Sequence, residues 1–254
     1  MSASRVVLLS PHFDDVPLSL GQSLTDGVLS QHEVTVVVVF SRTNWTRWFH
    51  PTPSGPRTWA SSRWRRLEEA VAGRRFGYRV VTLGLPEWML RTGRSDLTSL
   101  LDPTADVAGD PVVDQILDRV AGLVGTADAV AACAAIGHHV DHQVVREVGA
   151  RLVDDGVPDV AFYEDRPYAA LVPPPELDAG VDWLARRLDR EVVSVPVSGP
   201  VGSRLHRRLR RTYPSQIDEL FVRAMSTDEA AGAVERVLLP DGPAGIWPLA
   251  DPAR

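Results

Sequence analysis

RVVLLSPHFDD, residues 5–15, is the stretch that decides the fold. Residues 5–9 are mostly apolar, and so short a run is typical of a strand buried in a parallel sheet. His12, Asp14 and Asp15 then lie on the loop at the carboxyl end of this strand, where open α/β sheets bind their ligands. An imidazole beside two carboxylates can supply two metal ligands and leave the other carboxylate free as a base.

A second polar cluster follows a second apolar run. Residues 129–136 are apolar and strand-like, and they lead into Gly-His-His-Val-Asp-His over 137–142. Ligands in open α/β sheets bind outside the carboxyl ends of the strands, so two polar clusters at two strand ends indicate one shared site. A single loop cannot complete a metal site, and we expect the second cluster to supply the missing ligand.

The rest of the chain alternates between strand-like and helix-like segments. Further strands are predicted at 33–40, 79–85 and 159–163. Helices are predicted at 18–29, 59–77, 112–124 and 140–152. This alternation is typical of a three-layer α/β/α, Rossmann-like fold with a mainly parallel sheet. Segments 41–62 and 91–111 are predicted to be irregular, the first as a lid or rim on the face of His12.

The last third, about 173–254, has a less regular pattern. Three consecutive prolines at 173–175 are expected to begin a linker-like piece. Beyond them we predict a short helix at 182–189, a strand at 191–197, helices at 203–211 and 216–225, and an edge strand or short helix at 234–239. No internal repeat divides the chain, so one domain over 1–254 is the economical prediction.

Composition excludes several classes of protein. The 254 residues are 44% hydrophobic, and the formal charge of −6 gives no general attraction to nucleic acid or to an anionic membrane. Cys133 is the sole cysteine, which excludes a disulfide framework. No signal peptide or membrane-spanning segment is recognisable, so we expect a cytoplasmic protein. All 27 basic side chains are arginine, which suggests a GC-rich bacterial source.

The two polar clusters resemble motifs of the PIG-L/LmbE-like zinc-dependent N-deacetylase family. The first family motif, Pro-His-x-Asp-Asp-x-x-Leu-x-x-Gly, is matched by residues 11–21. The second, His-x-Asp-His, is matched by residues 139–142. Segments 65–68, 163–168 and 213–216 extend the resemblance in the same order over most of the chain. The chain departs from many relatives at Phe13, Val16 and His206, where they carry Pro, Glu and Lys.

The resemblance implies a metal-dependent deacetylase and gives roles to the motif residues. The implied metal ligands are His12, Asp15 and His142. A water molecule on the metal is the implied nucleophile, with Asp14 as general base and His139 stabilising the oxyanion or protonating the leaving amine. Asp141 is expected to orient a neighbouring imidazole. His139 is preferred to His138 because it alone preserves the His-x-Asp-His spacing.

Zn²⁺ is the implied metal, although a His/Asp/His set also accepts Fe²⁺, Mn²⁺ or Co²⁺. The implied substrate is a small N-acyl compound, an amino sugar or related metabolite of bacterial specialised metabolism such as antibiotic biosynthesis. The alternative is other metal-dependent chemistry within the family, such as hydrolysis of a thiol-conjugate amide or a rearrangement. Predicted substrate contacts are Arg65, Glu164, Tyr168, His206 and Trp45. The pattern leaves a homo-oligomer open.

Simpler structural explanations compete with several of these roles. Asp14 and Asp15 can merely cap the following helix. Arg65 and Glu68, three residues apart on a helix, can form a solvated ion pair. The arginine-rich segment 204–211 can be a solvated helix face, an anion site or, least in keeping with the acidic chain, a nucleic-acid surface.

Overall fold

The computed structural model describes residues 3–48, 54–242 and 245–247. Within them the chain forms one mixed β-sheet that is flanked by helices. The strands are β1 Arg5–Ser10, β2 Glu33–Val38, β3 Arg79–Thr82, β4 Ala129–Cys133, β5 Val160–Tyr163, β6 Val192–Pro200 and β7 Val234–Pro240. The α-helices are α1 Asp15–Asp26, α2 Gly55–Phe76, α3 Trp88–Thr92, α4 Leu97–Leu100, α5 Pro111–Val124, α6 Val140–Asp154, α7 Pro174–Leu188, α8 Ser203–Thr212 and α9 Glu219–Ala231.

The strand order is β3-β2-β1-β4-β5-β7-β6, and β1 to β5 are parallel. Between β1 and β4 the direction of winding reverses, which makes this point the switch of the sheet. The two strands are paired directly, with Leu8 opposite Ala131. The carboxyl ends of β1 and β4 therefore lie side by side, and the predicted three-layer fold with a mainly parallel sheet is confirmed.

Buried aliphatic residues hold the layers together. Strand β4 is made of small residues, and the whole of it is buried. Helix α6 packs on β4 and β5 through Gly149, where an added Cβ would meet the Phe162 ring at 2.7 Å and the Ala132 Cβ at 2.8 Å. Only glycine allows this approach. The close packing fixes the start of α6, which carries the second motif, against the end of β4.

Two helices begin earlier than predicted. Helix α2 starts at Gly55 rather than at Trp59, because the Ser54 hydroxyl accepts the Arg57 amide proton at 3.4 Å and a proline occupies the first turn. Helix α1 starts at Asp15, directly after the first motif. Of the predicted irregular segment 41–62, residues 41–48 are indeed non-helical and 54–62 are cap and helix, while 49–53 lie outside the described residues.

Segment 91–111 is less irregular than predicted, because α3 extends into it and α4 lies within it. The prolines after residue 172 likewise do not begin a linker. They lie at the start of α7, because the first helical positions do not use a backbone amide proton and proline lacks one.

The last third joins the main sheet rather than standing apart. Strand β7 lies between β5 and β6 and is antiparallel to both, so the alternative of an edge position for 234–239 is wrong and β6 forms the edge. Helix α9 starts at Glu219 rather than Gln216, because the Asp218 side chain caps it by accepting the Phe221 amide proton. Among the residues described, no helix is long and apolar enough to span a membrane.

Candidate metal centre and active site

The loop after β1 and the start of α6 bring the three predicted metal ligands together. Asp15 Oδ2 lies 3.3 Å from His12 Nδ1 and 3.4 Å from His142 Nε2. One ligand atom from each of the three side chains falls within a common 4.8 Å cluster, and all three residues are buried. These distances follow from the pairing of β1 with β4, since each strand delivers its motif to the same edge.

The chemistry of this cluster fits a divalent metal ion. His142 Nε2 is buried and makes no hydrogen bond, although it faces Asp15. A buried nitrogen left in this way is expensive unless something else binds it. Burial would raise the pKa of Asp15, but His142 and His12 lower that pKa well below its usual value, so the carboxylate is anionic. Two imidazoles and one carboxylate form a normal ligand set for Zn²⁺ and related ions.

Two further carboxylates orient the imidazoles from behind. Asp165 Oδ1 lies 2.6 Å from His142 Nδ1, and Asp141 Oδ2 lies 3.1 Å from His12 Nε2. Asp141 is fully buried and also accepts the Trp88 amide and the Arg91 guanidinium, each at 2.8 Å. A carboxylate on the remote nitrogen fixes the ring orientation and the tautomer of a metal-binding histidine. The structure thus places Asp141 where the sequence predicted an orienting group.

Asp165 and Arg91 are contributors that the sequence analysis missed. Asp165 directly follows Glu164, which the sequence analysis predicted as a substrate contact. Successive side chains leave a strand on opposite faces, so only one of the two can point at the site. Asp165 also accepts the Ile136 amide proton at 2.9 Å, which ties the end of β4 to the end of β5. That alternation was the available signal, but the sequence does not reveal which face carries the metal.

Asp14 stands at the N-cap position of α1, but its side chain does not cap the helix. It precedes α1 with φ of 86° and makes no capping hydrogen bond through its side chain. Its Oδ1 accepts a hydrogen bond from Arg65 at 2.9 Å, and its Oδ2 has no hydrogen-bond partner within the described residues. Burial raises the pKa of Asp14 to about 8, although the nearby Arg65 opposes the rise. A carboxyl group with this pKa can take and return a proton near neutral pH.

Arg65 does not form the solvated ion pair with Glu68, and its substrate contact stays a prediction. It does not pair with Glu68, because its guanidinium donates to Asp14 and, at 2.7 Å, to the Phe13 carbonyl oxygen. Glu68 instead accepts the amide proton of Ser215 at 2.8 Å. The two side chains leave α2 in different directions. Arg65 therefore lies beside the proposed base, where the structure gives it a defined orientation.

His139, rather than His138, lies in the cluster. Its ring centroid is 4.8 Å from that of His12 and 5.0 Å from that of His142. Desolvation, with both neighbouring imidazoles, lowers the pKa of His139 well below its usual value, so the ring is neutral. Its Nδ1 accepts the Asp141 amide proton at 3.2 Å. His138 points elsewhere, with Nε2 3.9 Å from Glu176 of α7.

Tyr168 is the second predicted substrate contact beside the cluster. Its ring packs edge-on to His142 at a centroid distance of 5.7 Å. Burial, with Asp15 and Asp14 near, raises the pKa of its hydroxyl, which therefore stays protonated. Trp45 lies on segment 41–48 with 37% of its surface exposed, and its amide proton is bound by the Thr43 hydroxyl.

Glu164 and His206 do not lie beside the three proposed metal ligands. Glu164 lies 3.8 Å from Arg166 and 3.9 Å from Arg236, because it leaves β5 on the side of β7. His206 of α8 lies 3.3 Å from Glu229 of α9. Glu164 thus faces two arginines, and His206 faces a glutamate. The structure does not bring either side chain to the proposed metal ligands, and a substrate contact by Glu164 or His206 stays a prediction.

Comparison with known proteins agrees with this site. The chain is 35% identical over 239 residues to the 2'-N-acetylparomamine deacetylase of Streptomyces fradiae, a match covering 91% of this chain and 80% of that relative. No family model matches the chain.

Two solved structures share the fold. One is a triple mutant of a deacetylase of the teicoplanin biosynthetic pathway, with 19% identity, a TM-score of 0.63 and coverage of 95% of this chain and 100% of that one. The other is a zinc-inhibited form of teicoplanin deacetylase, with 21% identity, a TM-score of 0.61 and the same coverage. Together with the curated relative and the two motifs at one metal cluster, these similarities show that the chain belongs to the PIG-L/LmbE-like family of N-deacetylases.

Proposed function

We propose that this protein is a metal-dependent hydrolase that removes the N-acetyl group from an amino sugar. The observation that carries the proposal is the convergence of His12, Asp15 and His142 around a buried, unpartnered nitrogen, with the carboxylate of Asp14 next to them. The curated relative acts on 2'-N-acetylparomamine, which supports an N-acetylated aminoglycoside precursor as the substrate. The products are then the free amine and acetate.

His12, Asp15 and His142 would hold the metal ion, and we propose Zn²⁺ as its identity. A divalent metal bound by such a set lowers the pKa of water towards ~7 and polarises an amide carbonyl. Asp165 and Asp141 keep the two imidazoles in the tautomers that binding requires.

Asp14 is the proposed proton carrier. Its Oδ1 is fixed by Arg65, so its Oδ2 is left to accept the proton of the attacking water. The raised pKa of Asp14, about 8, suits a group that must also deliver that proton to the leaving nitrogen. Without this second proton transfer, cleavage of the C–N bond would have to release the nitrogen as an amide anion. Asp14 therefore serves as base in the attack and as acid in the departure.

His139 is the proposed hydrogen-bond donor to the carbonyl oxygen. Since its Nδ1 accepts the Asp141 amide proton, the neutral ring carries its own proton on Nε2. A preoriented N–H donor stabilises the negative charge that develops on the amide oxygen during attack. Tyr168, edge-on to His142, provides a protonated hydroxyl on another side of the cluster, suited to a substrate hydroxyl or the acetyl group.

The test is acetate release from 2'-N-acetylparomamine and from N-acetylglucosamine by protein loaded with Zn²⁺, Fe²⁺, Mn²⁺ or Co²⁺. Each metal is added as a series of ratios, because a related fold is known in a zinc-inhibited form and excess zinc can hide activity. We expect acetate and free amine in equal amounts at one metal per chain, with the aminoglycoside precursor preferred. Stoichiometric metal binding without acetate release from any N-acetyl amino sugar would contradict the proposal.

A further inference from the structure

A buried glutamate on α2 contacts the backbone of the proposed base. Glu69 is fully buried, and its Oε2 accepts the amide proton of Asp14 at 3.2 Å. The same oxygen accepts the Tyr213 hydroxyl at 2.8 Å, and Oε1 accepts the Tyr78 hydroxyl at 2.7 Å. Three donors from separate parts of the chain thus converge on one carboxyl group.

Asp14 needs such support because its backbone is held in an unfavourable conformation. Its φ of 86° lies in the left-handed region, which residues other than glycine rarely adopt. Residues in such conformations persist only where the surroundings over-determine them. The strain is useful here, because it turns the Asp14 carboxylate away from capping α1, where it makes no hydrogen bond, and towards Arg65.

Helix α2 holds Asp14 at two points. Arg65 and Glu69 are four residues apart and so lie one above the other on the same helix face. Arg65 binds the Asp14 side chain and the preceding carbonyl of Phe13, while Glu69 binds the Asp14 amide. The two contacts fix both ends of the residue. Tyr78 and Tyr213 in turn hold Glu69, since each hydroxyl donates to a different carboxyl oxygen, and the two hydroxyl oxygens lie 3.4 Å apart.

We propose that Glu69 is a positioning residue, which with Tyr78 and Tyr213 holds Asp14 in the geometry that proton transfer requires. Among the described residues, Glu69 hydrogen-bonds to Asp14, Tyr78 and Tyr213 and to no side chain of a proposed metal ligand, so it acts through Asp14. This inference rests on the proposed function, because the base needs positioning only if Asp14 moves a proton. Proton transfer is sensitive to displacements of less than 1 Å, so loosening Asp14 should slow turnover and leave substrate binding nearly unchanged.

The kinetic test compares Glu69→Gln with Glu235→Gln in the metal-loaded full-length protein. Glu235 is a matched control, because it is also fully buried and its carboxyl group also binds backbone amides, those of Gln22 and Ser23. We expect Glu69→Gln to lower kcat roughly 10- to 100-fold with KM within about 2-fold, and Glu235→Gln to keep kcat near that of the wild type. Equal losses of kcat in both variants, or an unchanged kcat in Glu69→Gln, would overturn the proposal.

Tyr213→Phe removes a single hydroxyl and tests the same idea if Glu69→Gln does not fold. It should give a smaller fall in kcat, again without a change in KM, because Glu69 then keeps the Asp14 amide but loses one of its two hydroxyl partners. An unchanged kcat in this variant would count against the network.

A second readout does not depend on activity. In protein labelled with ¹⁵N-aspartate, the Asp14 amide should resonate downfield and exchange slowly with solvent, because it is bonded to a buried carboxyl group. Glu69→Gln should shift the resonance upfield and speed its exchange, and Glu235→Gln should do neither. An Asp14 amide unaffected by Glu69→Gln refutes the contact itself. Wild-type protein that is inactive on every N-acetyl amino sugar refutes the proposed function but leaves this amide measurement valid.

Discussion

Two groups of buried charges lie on either side of β5, one towards β4 and one towards β7, and they differ in how their charges are paired. At the β1 and β4 side, His142 Nε2 makes no hydrogen bond and Asp14 keeps one carboxylate oxygen without a described partner. At the β7 side, Arg166 lies 2.5 Å from Asp228 and 3.8 Å from Glu164. The first group leaves ligand atoms available, whereas the second neutralises each charge with an opposite one.

The comparison separates function from stability in side chains that look alike in sequence. Glu164 and Asp165 are adjacent acidic residues, yet the first faces arginines and the second faces His142, a proposed metal ligand. Arg166 Nε also lacks a hydrogen-bond partner, but a guanidinium N–H is only a donor and cannot bind a cation. The buried acceptor nitrogen of His142 instead marks a place where a metal ion is expected. The following predictions test whether the two groups can be disturbed independently.

The largest effect is expected from His142→Ala. It removes one of the three metal ligands and leaves the Asp165 carboxylate without its 2.6 Å partner. Wild-type protein should bind about one divalent metal per chain, and the variant should lose stoichiometric binding together with all activity. Elemental analysis after dialysis is the measurement. Wild-type metal content in this variant would show that the ligand set is misassigned.

Asp14→Asn should retain the metal and lose turnover. The amide cannot accept a proton, so kcat should fall by roughly 10²- to 10⁴-fold, the usual contribution of a general base. Parallel measurement of metal content and of kcat separates this role from that of Asp15. A variant that keeps its kcat would remove Asp14 from the mechanism.

Asp165→Asn should weaken the metal site without abolishing it. The substitution preserves shape but replaces the carboxylate that orients His142, and changes of this kind typically lower metal affinity by ~10- to 100-fold. Competition with a chelator of known affinity gives the metal Kd. Glu164→Gln, which changes the residue directly before Asp165, is the matched comparison and should leave the metal Kd unaltered. Equal effects of the two substitutions would erase the distinction between the two groups of charges.

Asp228→Asn tests the second group of charges, the one around Arg166, directly. Loss of the charged partner of Arg166 should lower the free energy of unfolding by about 1–3 kcal/mol, the usual penalty for leaving a buried charged or polar group unsatisfied. Metal content and kcat should stay at wild-type values. Urea unfolding provides the stability. A loss of kcat would mean that this side of the sheet takes part in catalysis.

The smallest effect on activity is expected from Glu235→Gln, which should change only the pH dependence of stability. Burial raises the pKa of Glu235 to about 8, opposed by the amides of Gln22 and Ser23. In the unfolded chain a glutamate titrates near its ordinary pKa of about 4.3, so the folded state holds the proton over a wider range. The stabilising contribution is complete below that unfolded pKa and is lost as pH rises towards 8. Glu235→Gln should flatten this part of the stability curve, measured by urea unfolding at several pH values.

The parallel half of the fold was predictable from residues 5–15 and 129–142, because buried parallel strands are continuous apolar runs and their ends carry the motifs. The last third was not. Prolines that suggested a linker open a helix, and β7 pairs between two distant strands. Helix starts and strand neighbours there depend on capping side chains and on pairing with distant residues, which local patterns do not encode.

By itself, the sequence determined the sheet type and the two motif loops, since these follow from hydrophobic periodicity, and its resemblance to a known family supplied the proposed ligand side chains. Only the tertiary structure decided that Asp165 rather than Glu164 faces His142, that Arg65 binds Asp14, and that Glu69 holds the Asp14 amide. Each of these contacts joins residues 23 to 55 positions apart. Their geometry is set by the packing of helix on strand, and no spacing along the chain specifies it.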